Sequence, residues 1–177
     1  VLGARYIEYI HDDLLDVFWP SSEKVAGKGL RDRALLESAA ARSFQSAFGK
    51  DIFPAILDKA AALFHSLIAN HAFVDGNKRT AVTAFDHSLL ANGLVLGIPN
   101  STMYDLATQT ASYRERQLSH ADAMAAVISA TTDFVVPIAS FKSDLSGIPS
   151  LAGSFQAKIK LRSWIRKHRD NRLIDPQ

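Results

Sequence analysis

The sequence predicts an all-α protein, a helical bundle that carries a short β-hairpin and an extra C-terminal helix. Three observations support this. Apolar residues recur at three- and four-residue steps along nearly the whole chain, the period of an amphipathic helix. Only Leu94–Ile98 and Arg42–Phe53 have β character, and both are too short to build a sheet of their own. The 177 residues are 47% apolar and include no cysteine. One core must therefore form by burial alone, with no disulfide, Cys-bound zinc or thiol nucleophile.

The elements follow in order. Tyr6, Ile7, Ile10, Leu14 and Val17 form the apolar stripe of a first helix. Asp32 is placed to cap a second, whose apolar run is Leu35, Leu36, Ala39 and Phe44. Between apolar ends in Arg42–Phe53, Gly49-Lys50 suggests the turn of a hairpin. The clearest stripe is Ile56, Ala60, Leu63 and Leu67, flanked by Leu57, Phe64 and Ile68, with Pro54 expected in the first turn. A fourth helix is expected from Asn77 to Asn92, with Val82, Phe85 and Leu89 inward and Gly93 as its stop. Helices near Thr102–Tyr113 and His120–Phe134 follow, the latter capped by Ser119.

The expected organisation is a catalytic body over residues 1–139, a linker over 140–154 rich in Ser, Gly and Pro, and a basic helical extension over 155–177. Charge divides along the same line. Residues 1–141 hold 12 Lys/Arg against 15 Asp/Glu, and residues 142–177 hold 8 against 3. On charge the body is no nucleic-acid binder, and the plainest reading of the tail is a solvated helix face. No stretch approaches a membrane span, and the acidic residues near the start predict no signal peptide. A cytoplasmic protein is expected.

The chemistry is concentrated in His71-Ala72-Phe73-Val74-Asp75-Gly76-Asn77-Lys78-Arg79-Thr80, between the third and fourth helices. A helix N-terminus offers unpaired N–H groups at the positive end of its dipole, and Gly76 lets a ligand approach the backbone closely. Lys78 and Arg79 place two cations where the dipole disfavours them, which points to an anion supplied from outside. A lone carboxylate, Asp75, beside a phosphate site is how Mg²⁺ is usually held, and His71 is the proton acceptor near neutral pH. Phe73 is expected to anchor the loop in the core. The segment is not a P-loop: it has no Gly-Lys pair, and His71 occupies the position of the earlier glycine. The competing reading is a polar turn, with Asp75 as a helix cap and Lys78 and Arg79 exposed.

These residues are similar to the signature H-x-F-x-[D/E]-[G/A]-N-[G/K]-R of the Fic/Doc (Fido) family. His71, Phe73, Asp75, Gly76, Asn77, Lys78 and Arg79 match it in order. Gly29-Leu30-Arg31-Asp32, Leu35 through Ala39 to Arg42, and Ile10-His11-Asp12 resemble the Doc branch, and the likeness spans residues 4–134. The resemblance implies a transferase that uses ATP and Mg²⁺ to modify a hydroxyl of a target protein. In it His71 is the general base and Asp75 holds the metal. The amides of Gly76 and Asn77, with the Asn77 side chain, line the anion hole, and Arg79 binds phosphate. Residues 42–53 form a flap that aligns the target. Lys78, where Fic enzymes that transfer AMP carry Gly, and Val82, where they carry a further Arg, favour Doc-type phosphorylation over AMP transfer. The Doc branch implies elongation factor Tu as target and an antitoxin-like protein as inhibitor. None of Glu8, Glu23, Glu37 and Glu115 lies in the self-inhibitory motif [S/T]-x-x-x-E-[G/N].

Two other classes compete. His11-Asp12 with His65, His71 and His87 suggests an HD-type metal phosphohydrolase, although the six-residue step from His65 to His71 does not put both on one helix face. A non-enzymatic module could act through Lys158, Lys160, Arg162, Arg166, Lys167, Arg169 and Arg172.

Overall fold

The computed structural model describes residues 2–18 and 29–141. Among these residues six α-helices dominate: α1 (Ala4–Phe18), α2 (Arg33–Arg42), α3 (Ile56–Asn70), α4 (Asn77–Leu90), α5 (Asn100–Ala111) and α6 (His120–Thr131). Four short strands accompany them: β1 (Ser46–Ala47), β2 (Lys50–Asp51), β3 (Leu94–Leu96) and β4 (Val135–Pro137). The all-α expectation holds. The expected linker and basic extension lie outside the described residues, apart from positions 140 and 141.

α3 is the centre of the molecule. Every residue from Ala60 to Ile68 is buried, so this helix is enclosed all round rather than along one stripe. It packs against α2, α4, α5 and α6. Three consecutive alanines, Ala60–Ala62, let neighbouring backbones approach, while Leu63, Phe64 and Leu67 fill the core with Phe85 and Leu89 of α4. The Phe64 and Phe85 rings meet edge to face at 5.7 Å, a preferred aromatic geometry.

The caps show why the helices start where they do. Asp32 caps α2 by accepting from the Leu35 N–H at 3.1 Å. Ser119 accepts from the Asp122 N–H at 3.1 Å, and Asp122 answers by accepting from the Ser119 N–H, also at 3.1 Å. This capping box satisfies two amides reciprocally. Pro54 precedes the N-cap Ala55 and so lies outside the first turn where it was expected. The stripes also differ in detail. Phe44 falls beyond the end of α2, in the turn towards the hairpin, and is exposed. Tyr6 points away from the core and bonds His87 Nδ1 at 3.2 Å.

Residues 42–53 contain the expected antiparallel hairpin, with Ser46 opposite Asp51 and Phe48-Gly49 at its tip. Leu94–Leu96 has the expected β character and enters a sheet with a partner segment that was expected to be the end of a helix and the residues after it. It pairs antiparallel with Val135–Pro137, and Val95, Leu96 and Val136 are buried. The partner strand follows directly on a 3₁₀ turn, Thr132–Phe134, which shortens the sixth helix at Thr131.

Candidate active site

The junction between α3 and α4 is built as a cradle tied down by backbone hydrogen bonds. α3 ends at Asn70, and the C-cap His71 adopts the left-handed conformation (φ 51°, ψ 49°). That turn sends the chain from a buried helix into the loop and leaves the His71 side chain exposed. Ala72 and Phe73 then dive back into the core, Phe73 with only 1% of its surface accessible. The strand-like segment before α2 clamps the loop from outside. Arg31 and Asp32 N–H groups donate to Ala72 O at 2.8 and 3.1 Å, and Val74 N–H donates to Gly29 O at 3.1 Å.

The N-cap of α4 is Gly76, also left-handed (φ 77°), and no side chain caps the helix. Asp75 is not the cap expected of a plain polar turn. Its Oδ1 accepts from the adjacent Gly76 N–H at 2.6 Å rather than from an amide inside the helix. Lys78 and Arg79 are half-buried rather than fully solvated. A cavity of about 240 Å³ opens at this point. His71, Val74 and Asp75 line it from the loop, Gly76, Asn77, Lys78 and Arg79 from the first turn of α4, and Tyr104 from α5. Imidazole, carboxylate, two cationic side chains and the positive end of a fourteen-residue helix thus share one opening.

The sequence pattern of the Fic/DOC family matches residues 2–89, a stretch ending in α4 that includes the whole cradle apart from Tyr104. Toxin Doc of Mycolicibacterium smegmatis (strain ATCC 700084 / mc(2)155) is 46% identical over 90 residues, which cover 50% of this chain and 68% of that protein. The chain belongs to the Fic/DOC family. The similarity to a Doc toxin places it in the Doc branch. No solved structure matches it.

Within this Fic/DOC chain, the Asn77 side chain also has a structural part. Both ends of the Asn77 side chain are committed to the loop: Oδ1 accepts from the Phe73 N–H at 3.0 Å, and Nδ2 donates to Phe73 O at 2.8 Å. The buried amide therefore braces the loop. His11 lies under the cradle, its ring stacked on Phe73 at 3.9 Å and 6°, with Nε2 3.1 Å from Asp75 O. A Cβ on Gly76 would lie 3.5 Å from the His11 ring, so imidazole and glycine backbone pack directly. The signal for His11 was its place one turn from Ile7 on the buried side of α1. Tyr104 gave no signal, because α5 reaches the cavity only through the tertiary fold.

The histidines suggesting an HD-type centre disperse. His65 packs against Tyr113 and His120, His87 bonds Tyr6, and His11 stacks on Phe73. Among the described residues, no three His, Asp or Glu side chains gather to hold a metal ion. A single carboxylate, Asp75, at an opening shared with a helix N-terminus does fit Mg²⁺, which takes one or two protein carboxylates and completes its shell with water and substrate phosphates.

Proposed function

We propose that this chain is a Doc-like toxin that uses ATP and Mg²⁺ to modify a Ser or Thr hydroxyl of a target protein, by transferring the γ-phosphoryl group. The observation that carries this reading is the shared opening of His71, Asp75 and the uncapped start of α4 with Lys78 and Arg79. The name of the M. smegmatis relative supports the toxin role.

In this scheme the α4 amides and the two cations hold the phosphates, and Tyr104 and Val74 bound the opening. Asp75 would hold Mg²⁺, which neutralises phosphate charge when bound. His71 accepts the proton of the target hydroxyl as its oxygen bonds to the γ-phosphorus. The bond from that phosphorus to the bridging oxygen breaks, and ADP leaves with the electron pair. The protein contributes positioning and charge, as phosphoryl transfer demands. Lys78 favours this outcome over AMP transfer, because a long cation there fills space and adds charge that glycine would not. The hairpin is the proposed flap: Phe44, Phe48 and Ile52 expose apolar side chains along it, and Lys59 ties it to α3 through Asp51 at 2.6 Å.

The target is proposed to be a translation factor such as elongation factor Tu, with an antitoxin-like protein as inhibitor. The domain proposed to act is residues 1–139, and no helix among the described residues is long and apolar enough to cross a membrane.

The test is incubation with a bacterial extract and ATP labelled separately at the α and γ positions. Label from γ on a protein band supports the kinase, and label from α supports AMP transfer. No label from either contradicts both.

A further inference from the structure

A second cavity, of about 110 Å³, lies between α2, α3 and the start of α6. Arg42, His65 and His120 line it together with Ser38, Gln45 and Asn70, and no Asp or Glu does. Two features there are unsatisfied. His65 is 2% exposed, and its Nε2 has no hydrogen-bond partner among the described residues. A buried polar atom of that kind costs free energy unless something bonds it. Arg42, half-buried with its guanidinium 5.7 Å from the Phe53 ring centroid, has no carboxylate partner among the described residues.

The electrostatics agree. Burial lowers the His65 pKa from 6.5 to about 4, and His120, Arg42 and Arg114 push the same way. Arg42 and Arg114 are cations. Tyr113, whose ring also touches His65, is held by hydrogen bonds with His120 Nε2 at 3.1 Å and Arg114 Nε at 2.8 Å.

We propose that this cavity is an oxyanion site, sized for a phosphate or a carboxylate, in which Arg42 supplies the charge and His65 Nε2 a buried donor. Gln45 leads directly into the hairpin and Arg42 closes α2, so an occupant would stiffen the root of the hairpin. The inference stands apart from the chemistry proposed for the α3–α4 junction.

The test follows the histidine resonances of the full chain by NMR while inorganic phosphate, or separately acetate, is added. A saturating response of His65 is expected, with its pKa rising by about one unit or more, as a nearby opposite charge requires. The two anions distinguish a phosphate-sized occupant from a carboxylate. Arg42→Gln should abolish the response, and Arg79→Gln, at the other cavity, should leave it intact. Ser38→Glu, one helical turn before Arg42, should occupy the site with a tethered carboxylate. It should raise the His65 pKa without added anion and remove the response, which keeps the test open if Arg42→Gln does not fold. No response to either anion overturns the proposal, as does a response that survives Arg42→Gln and Ser38→Glu or is lost in Arg79→Gln.

Discussion

The αL conformation of His71 and the side-chain bonds of Asn77 have different consequences, although the residues are six apart in one loop. His71 is exposed, and its side chain makes no hydrogen bond or ion pair among the described residues. His71→Ala should therefore keep the fold while lowering the transfer rate by about 10²–10⁴-fold, the usual contribution of a general base. Asn77→Ala removes both partners of the Phe73 backbone in a buried setting. Each orphaned group costs roughly 1–3 kcal/mol, so this variant should unfold at clearly lower urea as well as lose activity. Gly76→Ala should lose on the order of 1 kcal/mol from the left-handed backbone alone, since its methyl would only touch the His11 ring at 3.5 Å. Activity assays and urea melts on the three variants separate chemistry from support. The signature residues were legible in the sequence because their types and spacing are local. The bracing role of Asn77 was not, because an amide that bonds the backbone four residues earlier looks the same in sequence as one that bonds a ligand.

At the scale of elements, α3 decides most of the fold and carries the clearest pH signature. His65 lies in its buried stretch, with a pKa lowered from 6.5 to about 4 chiefly by burial. The unfolded chain therefore binds a proton between those values that the folded chain does not. Its contribution to stability is complete above pH 6.5 and is lost as pH falls towards 4, by up to about 3 kcal/mol. Urea midpoints measured from pH 7 to 4 should fall, and His65→Phe should flatten that fall. The helix starts were readable from Asp32 and Ser119, whose caps form as expected. The β3–β4 pairing was not, because its strands are three residues each and some forty residues apart. Short apolar runs carry no period of their own, and only the closed fold shows that they meet.

For the whole molecule, the sequence pattern, the Fic/DOC match and the cavity converge on the α3–α4 junction, clamped by residues 29–32 and underpinned by His11 on α1. Elements distant in the chain thus fix a loop whose chemistry is local, and a site held so firmly should bind nucleotide without its base. Calorimetric titration of the His71→Ala protein with ATP, with and without Mg²⁺, measures this most directly. Binding that strengthens with Mg²⁺ and loses that dependence in the His71→Ala, Asp75→Ala double variant is the result predicted. An absence of binding, or a Mg²⁺ effect unchanged by loss of Asp75, would contradict the cradle.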